Sequence, residues 1–358
     1  MFGPGNLSSG DLVSPTAVAA TSPLLSRHGA VAGEGVDAAV AAHYGDPLRE
    51  QRLLAEGLAV VDLSHRGVLT ITGPDRLSWL HSLTTQMLTG LAPRTSAESL
   101  VLSPKGHIEH DLHVVDDGET AWVTVEPGTA PALLAWLDSM RFMLRVEVAD
   151  VSADYAVIGE PVASETTPAE PMAWSDPWPL MVGDTAAYSA ALEPAKHPGT
   201  ERSWRELIVP REHLEAAVGD RPMAGMWAAE ALRIAAWRPR LGFETDHRTI
   251  PHELDWLRTA VHLHKGCYRG QETVARVHNM GRPPRRLVFL HMDGSGHILP
   301  ARGSEIEVDG RIVGRLTSVA LHHELGPIAL AVIKRNTALD AVCTVVGLSA
   351  SQEEIVQR

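Results

Sequence analysis

Cysteine, aromatic side chains and net positive charge are all scarce in this chain. Its 358 residues include two cysteines and 5% aromatic residues, and the formal net charge is -13. The acidic balance opposes general attraction to nucleic acid or to an anionic membrane surface, because Lys and Arg dominate binding to both. Two isolated cysteines do not form the framework of a disulfide-rich secreted protein, so we expect free thiols in a reducing compartment.

Long apolar runs are missing as well. No stretch reaches the roughly 18 apolar residues of a membrane span, and the first residues lack the basic and apolar segments of a secretory signal. We therefore expect a cytoplasmic protein whose partners include no membrane and no nucleic acid. The length exceeds what one hydrophobic core usually serves, which predicts two or more domains.

The more informative of the two cysteines is Cys267. It lies between Gly266 and Gly270 in the run Lys265-Gly266-Cys267-Tyr268-Arg269-Gly270-Gln271-Glu272. A small buried side chain without a chemical role is one interpretation of such a cysteine. The two glycines favour another, a reactive thiol in a turn, because they indicate a positive φ or a close backbone approach that ordinary core positions do not need.

The neighbours of Cys267 support its ionised form. Lys265 and Arg269 add positive charge, and a helix expected to begin near Gln271 would direct its first N–H groups towards the turn. Cys343 lies in an apolar, β-branched run and has no such support. We therefore predict that Cys267 is the working thiol and that Cys343 is inert.

The chain as a whole predicts an α+β fold of several parts. Residues 1–42 are rich in Ser, Ala, Gly and Pro and are expected to form a flexible extension. Residues 43–285 are expected to form a mixed body of several subdomains, residues 286–350 a β domain, and residues 351–358 a tail. The β domain is expected to be a barrel, because Asp309-Gly310 between alternating runs is a strong two-residue hairpin signal.

Helix and loop signals divide the expected body. Asp before Pro predicts a short capped helix over residues 46–54, and apolar spacing predicts helices over 75–83 and 223–237. Seven prolines between residues 160 and 202 predict a long irregular connection.

Alternation over residues 108–115 predicts a β-strand with an unusually polar face. Glu109, Asp111 and His113 share one side of it. Because carboxylates are costly to bury without partners, this face is either exposed to solvent or lines a polar pocket. The residues alone leave both interpretations open.

Other polar residues have structural interpretations. Eighteen histidines raise the question of a metal site, but no cysteine joins any histidine cluster. On a strand His110 points away from His107 and His113, so the number and identity of ligands are unsupported and we assign no metal ligands. Glu230 precedes Arg233 by one helical turn and is expected to form an internal ion pair with it.

Four short motifs are spread along the chain. Besides the run around Cys267 they are Asp62-Leu63-Ser64-His65-Arg66-Gly67, Pro239-Arg240-Leu241-Gly242 and Arg276-Val277-His278-Asn279. Together they resemble the folate-binding YgfZ family, which is related to the aminomethyltransferase (T-protein) of the glycine cleavage system. The resemblance implies an aminomethyltransferase-like body that binds tetrahydrofolate, a C-terminal barrel, and iron–sulfur proteins or their assembly machinery as partners.

The resemblance also implies which residues form the site. A carboxylate can accept two parallel N–H bonds from a 2-aminopyrimidinone edge, which suits Glu206, and the basic residues between 265 and 286 suit the glutamate tail of a folate. A surface glutamate and a solvated basic face are the alternatives. The implied catalytic residues are Cys267 and Asp111, and the implied cofactor-binding residues are Asp111, Glu206, Arg233, Lys265 and Arg276.

The chain departs from the related transferases at two positions. They usually carry paired acids where this chain has His110 and Asp111, and an acid or amide where Cys267 stands. We therefore expect a tetrahydrofolate-binding accessory protein in iron–sulfur cluster assembly or maintenance. A folate-dependent aminomethyltransferase or demethylase is one alternative, and a folate-binding module without chemistry is another.

Overall fold

The computed structural model describes residues 20–161, 172–189, 194–295 and 299–357. These residues form two five-stranded sheets, a closed six-stranded barrel and a two-stranded sheet. The strands are β1 (Val31–Ala32), β2 (Ala41–His43), β3 (Val60–Asp62), β4 (Gly67–Thr72), β5 (Ser96–Leu102), β6 (Ile108–Asp116), β7 (Thr120–Val125), β8 (Glu147–Asp150), β9 (Tyr155–Glu160), β10 (Met172–Ser175), β11 (Arg205–Pro210), β12 (Met223–Ala224), β13 (Arg285–Met292), β14 (Glu305–Val308), β15 (Arg311–His322), β16 (Gly326–Lys334), β17 (Cys343–Val345) and β18 (Leu348–Glu354). The α-helices are α1 (Pro47–Ala55), α2 (Arg76–Leu83), α3 (Ala130–Ser139), α4 (Leu214–Val218), α5 (Met226–Ala235), α6 (Leu257–Ala260) and α7 (Gln271–Met280). The 3-10 helices cover Pro23–Ser26, Gly35–Asp37, Pro194–Lys196, Pro198–Glu201, Arg211–His213 and Pro251–Leu254.

The first five-stranded sheet has the order β5-β6-β7-β4-β8 and is antiparallel throughout. Its apolar face packs with α2 and α3 around a core that includes Leu80, Leu112 and Leu133, all fully buried. The pairing of β5 with β6 places Glu98 opposite His113. Successive side chains of a strand point to opposite faces, so His113 lies on the face away from this core.

The second sheet has the order β10-β11-β9-β3-β12, with only the short β12 parallel to its neighbour. A shared core joins the two sheets: it contains Val68 and Val115 of the first sheet and Val61 and Trp174 of the second. The polar face of β6 therefore turns towards the second sheet.

The barrel closes in the order β13-β16-β15-β14-β17-β18. Asp309 and Gly310 form the two-residue turn between β14 and β15, with φ values of 50° and 72°, which confirms the predicted hairpin. Phe289 of the barrel packs in one core with Trp237 and Trp256 of the body. The expected α+β body with a C-terminal β-barrel is therefore confirmed.

Residues 20–42 and the last described residues are more ordered than the sequence suggests. Residues 20–42, expected in a flexible extension, form two 3-10 helices and two short strands, while residues 1–19 lie outside the described residues. Asp37 anchors this segment through Arg240 at 2.7 Å and His65 at 2.9 Å. At the other end, where a tail over residues 351–358 was expected, β18 runs to Glu354 and completes the barrel, and the buried Val356 forms a bridge with Ser189.

The helix predictions near α1 and α2 are confirmed, and the one near α5 is too long. Asp46 caps α1 by accepting a hydrogen bond from the backbone N–H of Arg49 at 3.0 Å. Residues 223 and 224 pair with β3, so α5 begins only at Met226. Within the expected irregular connection over 160–202 the structure contains β10, while residues 162–171 and 190–193 lie outside the described part. Among the helices described, none is long and apolar enough to cross a membrane.

Candidate functional site

A polar cavity of about 60 Å³ lies where β6, β11 and α5 meet. Five arginines, five acids and two histidines are among its lining residues. Nearly balanced charge allows a buried site to hold many ionised groups, because each group finds an opposite partner. The charged and histidine residues that line it are His65, Arg66, Asp111, His113, Glu126, Asp176, Arg202, Glu206, Glu230, Arg233, Arg238 and Arg240.

The polar face of β6 lines this cavity. Asp111 and His113 are 4% and 5% exposed and both contribute to the cavity wall. Glu109 lies on the surface, where its carboxylate pairs with Arg269 at 2.7 Å. The pocket interpretation is therefore confirmed for Asp111 and His113, and the solvent interpretation holds for Glu109.

Glu206 also lines the cavity, but both of its carboxylate oxygens are bound by this chain. Arg66 donates to Oε1 at 3.0 Å, Thr124 donates to Oε2 at 2.9 Å, and His113 Nδ1 lies 3.0 Å from Oε2. Burial alone would raise the pKa of Glu206, but the charges of Arg66 and His113 hold it well below its usual range. A pterin edge could bind Glu206 only if these contacts opened.

His113 and Asp111 form a second contact inside the cavity. Burial alone would lower the pKa of His113, but its acidic neighbours, Glu206 first, raise it to about 9. Its ring stacks on Trp174 with centroids 3.6 Å apart and planes 6° apart. Asp111 Oδ2 lies 3.3 Å from His113 Nε2, whereas Asp111 Oδ1 is buried and has no hydrogen-bond partner among the described residues. Asp111 therefore supplies an unused acceptor.

Arg233 joins the cavity wall to the barrel. It donates to Glu230 at 2.8 Å and to Glu244 at 3.0 Å, and it also donates to the hydroxyl of Ser318 on β15 at 2.6 Å. The expected Glu230–Arg233 ion pair is thus confirmed. Through these three hydrogen bonds Arg233 fixes the position of the cavity wall relative to the barrel.

Sequence analysis missed two arginines that organise the same wall. Arg240 pairs with Glu126 at 2.8 Å and with Asp37 at 2.7 Å, and Arg238 pairs with Glu98 at 2.5 Å. The two arginines stand on either side of Pro239, just after α5, in a chain whose net charge is negative. That local concentration of arginine is the signal that could have revealed them.

The sequence-predicted site divides into two groups. Cys267 is exposed in the loop before α7, which begins at Gln271 as predicted. Neither Cys267 nor Lys265 nor Arg276 is among the described residues that line the cavity. The sequence-predicted residues that do line it are Asp111, Glu206 and Arg233.

Lys265 has a structural task in this arrangement. Its buried ammonium donates to the backbone carbonyls of His81, Thr84 and Gln86, at and just after the end of α2. Burial lowers the pKa of Lys265 to about 7. Lys265 therefore fastens the loop of Cys267 to the end of α2 and is not free to bind a folate tail.

The two positions beside Cys267 that carry glycine differ in whether the structure requires glycine there. Gly270 has a φ of +84°, and a Cβ there would lie 2.6 Å from the carbonyl oxygen of Ser103. At Gly266 the described residues place no atom within 4 Å of such a Cβ. The predicted need for glycine is confirmed at Gly270 and wrong at Gly266.

Cys343, by contrast with Cys267, is fully buried, and burial raises the pKa of its thiol.

A second cavity, of about 690 Å³, opens between the barrel and the segment after Leu241. Phe243 stands between the two cavities: its ring centroid is 4.2 Å from the guanidinium carbon of Arg302 and 4.3 Å from that of Arg240. We call this second cavity the basic cleft. Its cationic lining residues are Arg248, Arg285, Arg302, Arg315 and Lys334.

Comparison with known proteins shows which fold this chain has. Residues 22–159 match the GCVT N-terminal domain. The crystal structure of glycine cleavage system aminomethyltransferase T from Bartonella henselae is similar with a TM-score of 0.73 at 18% identity, covering 94% of this chain and 95% of that one. This chain has an aminomethyltransferase-like fold.

Two curated relatives carry different names. The chain is 27% identical over 287 residues to the putative transferase At1g60990, chloroplastic, of Arabidopsis thaliana, covering 73% of this chain and 62% of that protein. It is 23% identical over 258 residues to the iron–sulfur cluster assembly factor IBA57 homolog, mitochondrial, of Mycosarcoma maydis, covering 68% and 59%. This chain therefore spans about three fifths of the length of these two relatives.

Proposed function

We propose that this protein binds tetrahydrofolate in the polar cavity and serves as an accessory protein in iron–sulfur cluster assembly or maintenance, with Cys267 as its working thiol. The aminomethyltransferase-like fold and the relative named as an iron–sulfur cluster assembly factor support this proposal. The observation that carries its folate part is the unpaired, buried carboxylate oxygen of Asp111 in the cavity wall.

Asp111 suits the polar edge of a pterin. An ionised carboxylate accepts N–H hydrogen bonds strongly, and a pterin edge offers such donors. Glu206 is occupied by Arg66, His113 and Thr124. We therefore assign the first pterin contact to Asp111, and to Glu206 the task of holding His113 and Arg66 in the wall.

Binding requires the cavity to enlarge. Its volume is about 60 Å³, whereas small-molecule sites typically measure about 300–1,000 Å³. Trp204 and Met226 are apolar parts of its wall, and Phe243 is half-buried on the side of the basic cleft. We propose that these side chains move when the pterin enters.

The basic cleft suits the glutamate tail of the folate. Its cations lie beyond Phe243, next to the cavity, and Arg forks match carboxylates in geometry. Arg315 and Lys334 are two exposed cations of the cleft: Arg315 pairs with Glu305 at 2.7 Å, and Lys334 donates to the carbonyl of Ile312 at 2.9 Å. We assign the tail to this cleft, in place of the sequence-predicted Lys265 and Arg276.

The thiol of Cys267 acts on a partner rather than on the bound folate. Cys267 is exposed and stands outside the described cavity lining, just before the N-terminus of α7. The proposed partners are iron–sulfur proteins or their assembly machinery.

A genetic experiment tests the iron–sulfur role. Deleting the gene is expected to lower the activity of iron–sulfur enzymes, and the intact gene is expected to restore it. Cys267→Ser is expected to fail, while Cys343→Ser, which changes only a buried thiol, is expected to succeed. Unchanged iron–sulfur enzyme activity in the deletion strain would contradict the role, and restoration by Cys267→Ser would leave a folate-binding module without thiol chemistry.

Aminomethyl transfer or demethylation is a second candidate. The relative named as a putative transferase and the position of Asp111 in the cavity favour it. Against it, burial lowers the pKa of His110 to about 4, so a neutral ring stands where transferases usually carry an acid. A coupled assay with tetrahydrofolate and an aminomethyl carrier separates the two, since only a transferase turns over.

A further inference from the structure

Three buried side chains that could bind a metal ion meet between β5 and β6. Glu98 faces His113 across the two strands, and Asp111 lies two residues before His113 on the same face. One nitrogen or oxygen atom from each side chain lies within 4.8 Å of the other two. The glutamate was not a candidate in the sequence, because only the register of the sheet brings it to the histidine.

Each of the two carboxylates has an unused oxygen. Glu98 Oε2 and Asp111 Oδ1 are buried and have no hydrogen-bond partner among the described residues. The two side chains are 0% and 5% exposed. A buried carboxylate oxygen without a partner is costly, and a bound cation would offset that cost.

His113 is oriented as a metal-binding histidine is. Its Nδ1 lies 3.0 Å from Glu206, and its Nε2 points at Asp111, 3.3 Å away. Histidines that bind metals through one ring nitrogen usually donate the other N–H to a carboxylate, which fixes the tautomer. The stacked Trp174 ring, 3.6 Å away, holds the imidazole plane.

The charges around the group are mixed. Arg238 donates to Glu98 Oε1, the oxygen that is already paired, and Arg66 Nη2 lies 3.4 Å from His113 Nδ1. Asp176 and Glu206 add negative charge nearby, each next to one of these arginines. Each of the two cations is thus paired with an acid, and Glu98 Oε2 and Asp111 Oδ1 keep no hydrogen-bond partner among the described residues.

We propose that Glu98, Asp111 and His113 bind a divalent transition-metal ion, with Zn²⁺ as the first candidate. Two carboxylates and one imidazole leave a fourth position open towards the cavity, as in zinc sites that keep a water molecule. In a tetrahedral site with ligands about 2.1 Å from the zinc ion, ligand atoms are about 3.4 Å apart. Ligand atoms of these side chains are up to 4.8 Å apart, so they must close by up to about 1.4 Å when the ion binds. The ion replaces the proton on His113 Nε2, which leaves to solvent while Nδ1–H stays on Glu206. Because the ion would use Asp111, to which the first pterin contact is assigned above, metal and folate are expected to compete for this side chain, whereas Cys267 takes no part in the site.

Metal titration of the chelator-stripped, full-length protein tests this site. ZnCl₂ and CoCl₂ are added separately and followed by calorimetry, and bound Co²⁺ is also followed by its visible absorption. One ion of either kind is expected to bind per chain, and Zn²⁺ is expected to displace Co²⁺ and abolish the absorption. Glu98→Gln, which keeps the shape but removes the charge, is expected to weaken binding at least tenfold.

Glu109→Gln is the matched control, because it removes an acid from the exposed part of the same strand; its affinity is expected to be unchanged. Circular dichroism shows whether each variant is folded. If Glu98→Gln does not fold, the metal affinity of Asp111→Asn is measured in its place. Absence of binding to the wild-type protein would overturn the proposal, as would wild-type affinity in the folded variant.

Discussion

The Nδ1 atom of His113 lies 3.0 Å from Oε2 of Glu206, across the gap between the two sheets. This contact, with that of Arg66 on the other oxygen, satisfies the carboxylate of Glu206 inside the protein. The side chain that the sequence assigns to the pterin therefore holds the cavity wall together. Asp111, with its unpaired oxygen, is left as the acceptor for a ligand.

Glu206→Gln is expected to destabilise the protein strongly. The change leaves the charges of Arg66 and His113 without their main partner in a buried site, and breaking such a pair from one side typically costs about 3–5 kcal/mol. Urea unfolding at neutral pH measures the loss. Glu109→Gln breaks only the exposed pair with Arg269, for which about 1 kcal/mol or less is expected. Equal effects of the two changes would show that Glu206 is not the structural centre of the cavity.

The local patterns of the sequence predict much of this fold. Strand alternation places Asp111 and His113 on one face, and Asp309-Gly310 forms the expected turn of the barrel. Both signals depend only on neighbouring residues, because strand period and turn dihedral angles are local properties.

The partners of the charged residues could not be predicted in this way. Asp37 is anchored by Arg240, 203 positions further along the chain, so residues 20–42 looked like a flexible extension. Lys265 likewise looked like a free cation beside Cys267, but it caps carbonyls such as that of Gln86, 179 positions away. Ion pairs and caps of this kind depend on tertiary proximity, which leaves no periodic signal in the sequence.

Gly270→Ala and Gly266→Ala are expected to behave differently. At Gly270 the backbone has a positive φ and a Cβ would clash with the carbonyl oxygen of Ser103, so the free energy of unfolding should fall by at least about 1–2 kcal/mol. At Gly266 the space is open, and alanine should be neutral or slightly stabilising. Thermal unfolding of both variants checks this. A larger loss at Gly266 than at Gly270 would contradict the described conformation of the turn.

Cys267 is expected to be alkylated faster than Cys343 in the native protein. Cys267 is exposed before a helix N-terminus, while burial shields Cys343 and raises the pKa of its thiol. Alkylation rates of Cys267→Ser and Cys343→Ser proteins, measured over a range of pH, separate the two thiols. Faster labelling of Cys343, or no labelling of Cys267, would remove the case for a working thiol.

Truncating Arg315 and Lys334 together is expected to weaken tetrahydrofolate binding by a few fold, because each exposed charge contributes about 0.2–1 kcal/mol. A tetrahydropterin without the glutamate tail should bind the variant and the wild-type protein equally, and the effect should shrink at high salt. Arg276→Ala is the control, because Arg276 lies on the exposed part of α7, outside the described lining of the cleft. If only Arg276→Ala weakened tetrahydrofolate binding, the glutamate tail would bind at the site predicted from the sequence and not in the basic cleft.

Direct measurement of tetrahydrofolate binding tests the central claim. Calorimetry under anaerobic conditions is expected to show one folate bound per chain. Asp111→Asn should weaken binding by about 1–3 kcal/mol, because a carboxylate that accepts the pterin N–H groups is lost. Glu109→Gln, on the surface of the same strand, should bind as the wild type does. No binding by the wild-type protein at millimolar folate, or wild-type affinity in Asp111→Asn, would contradict the account.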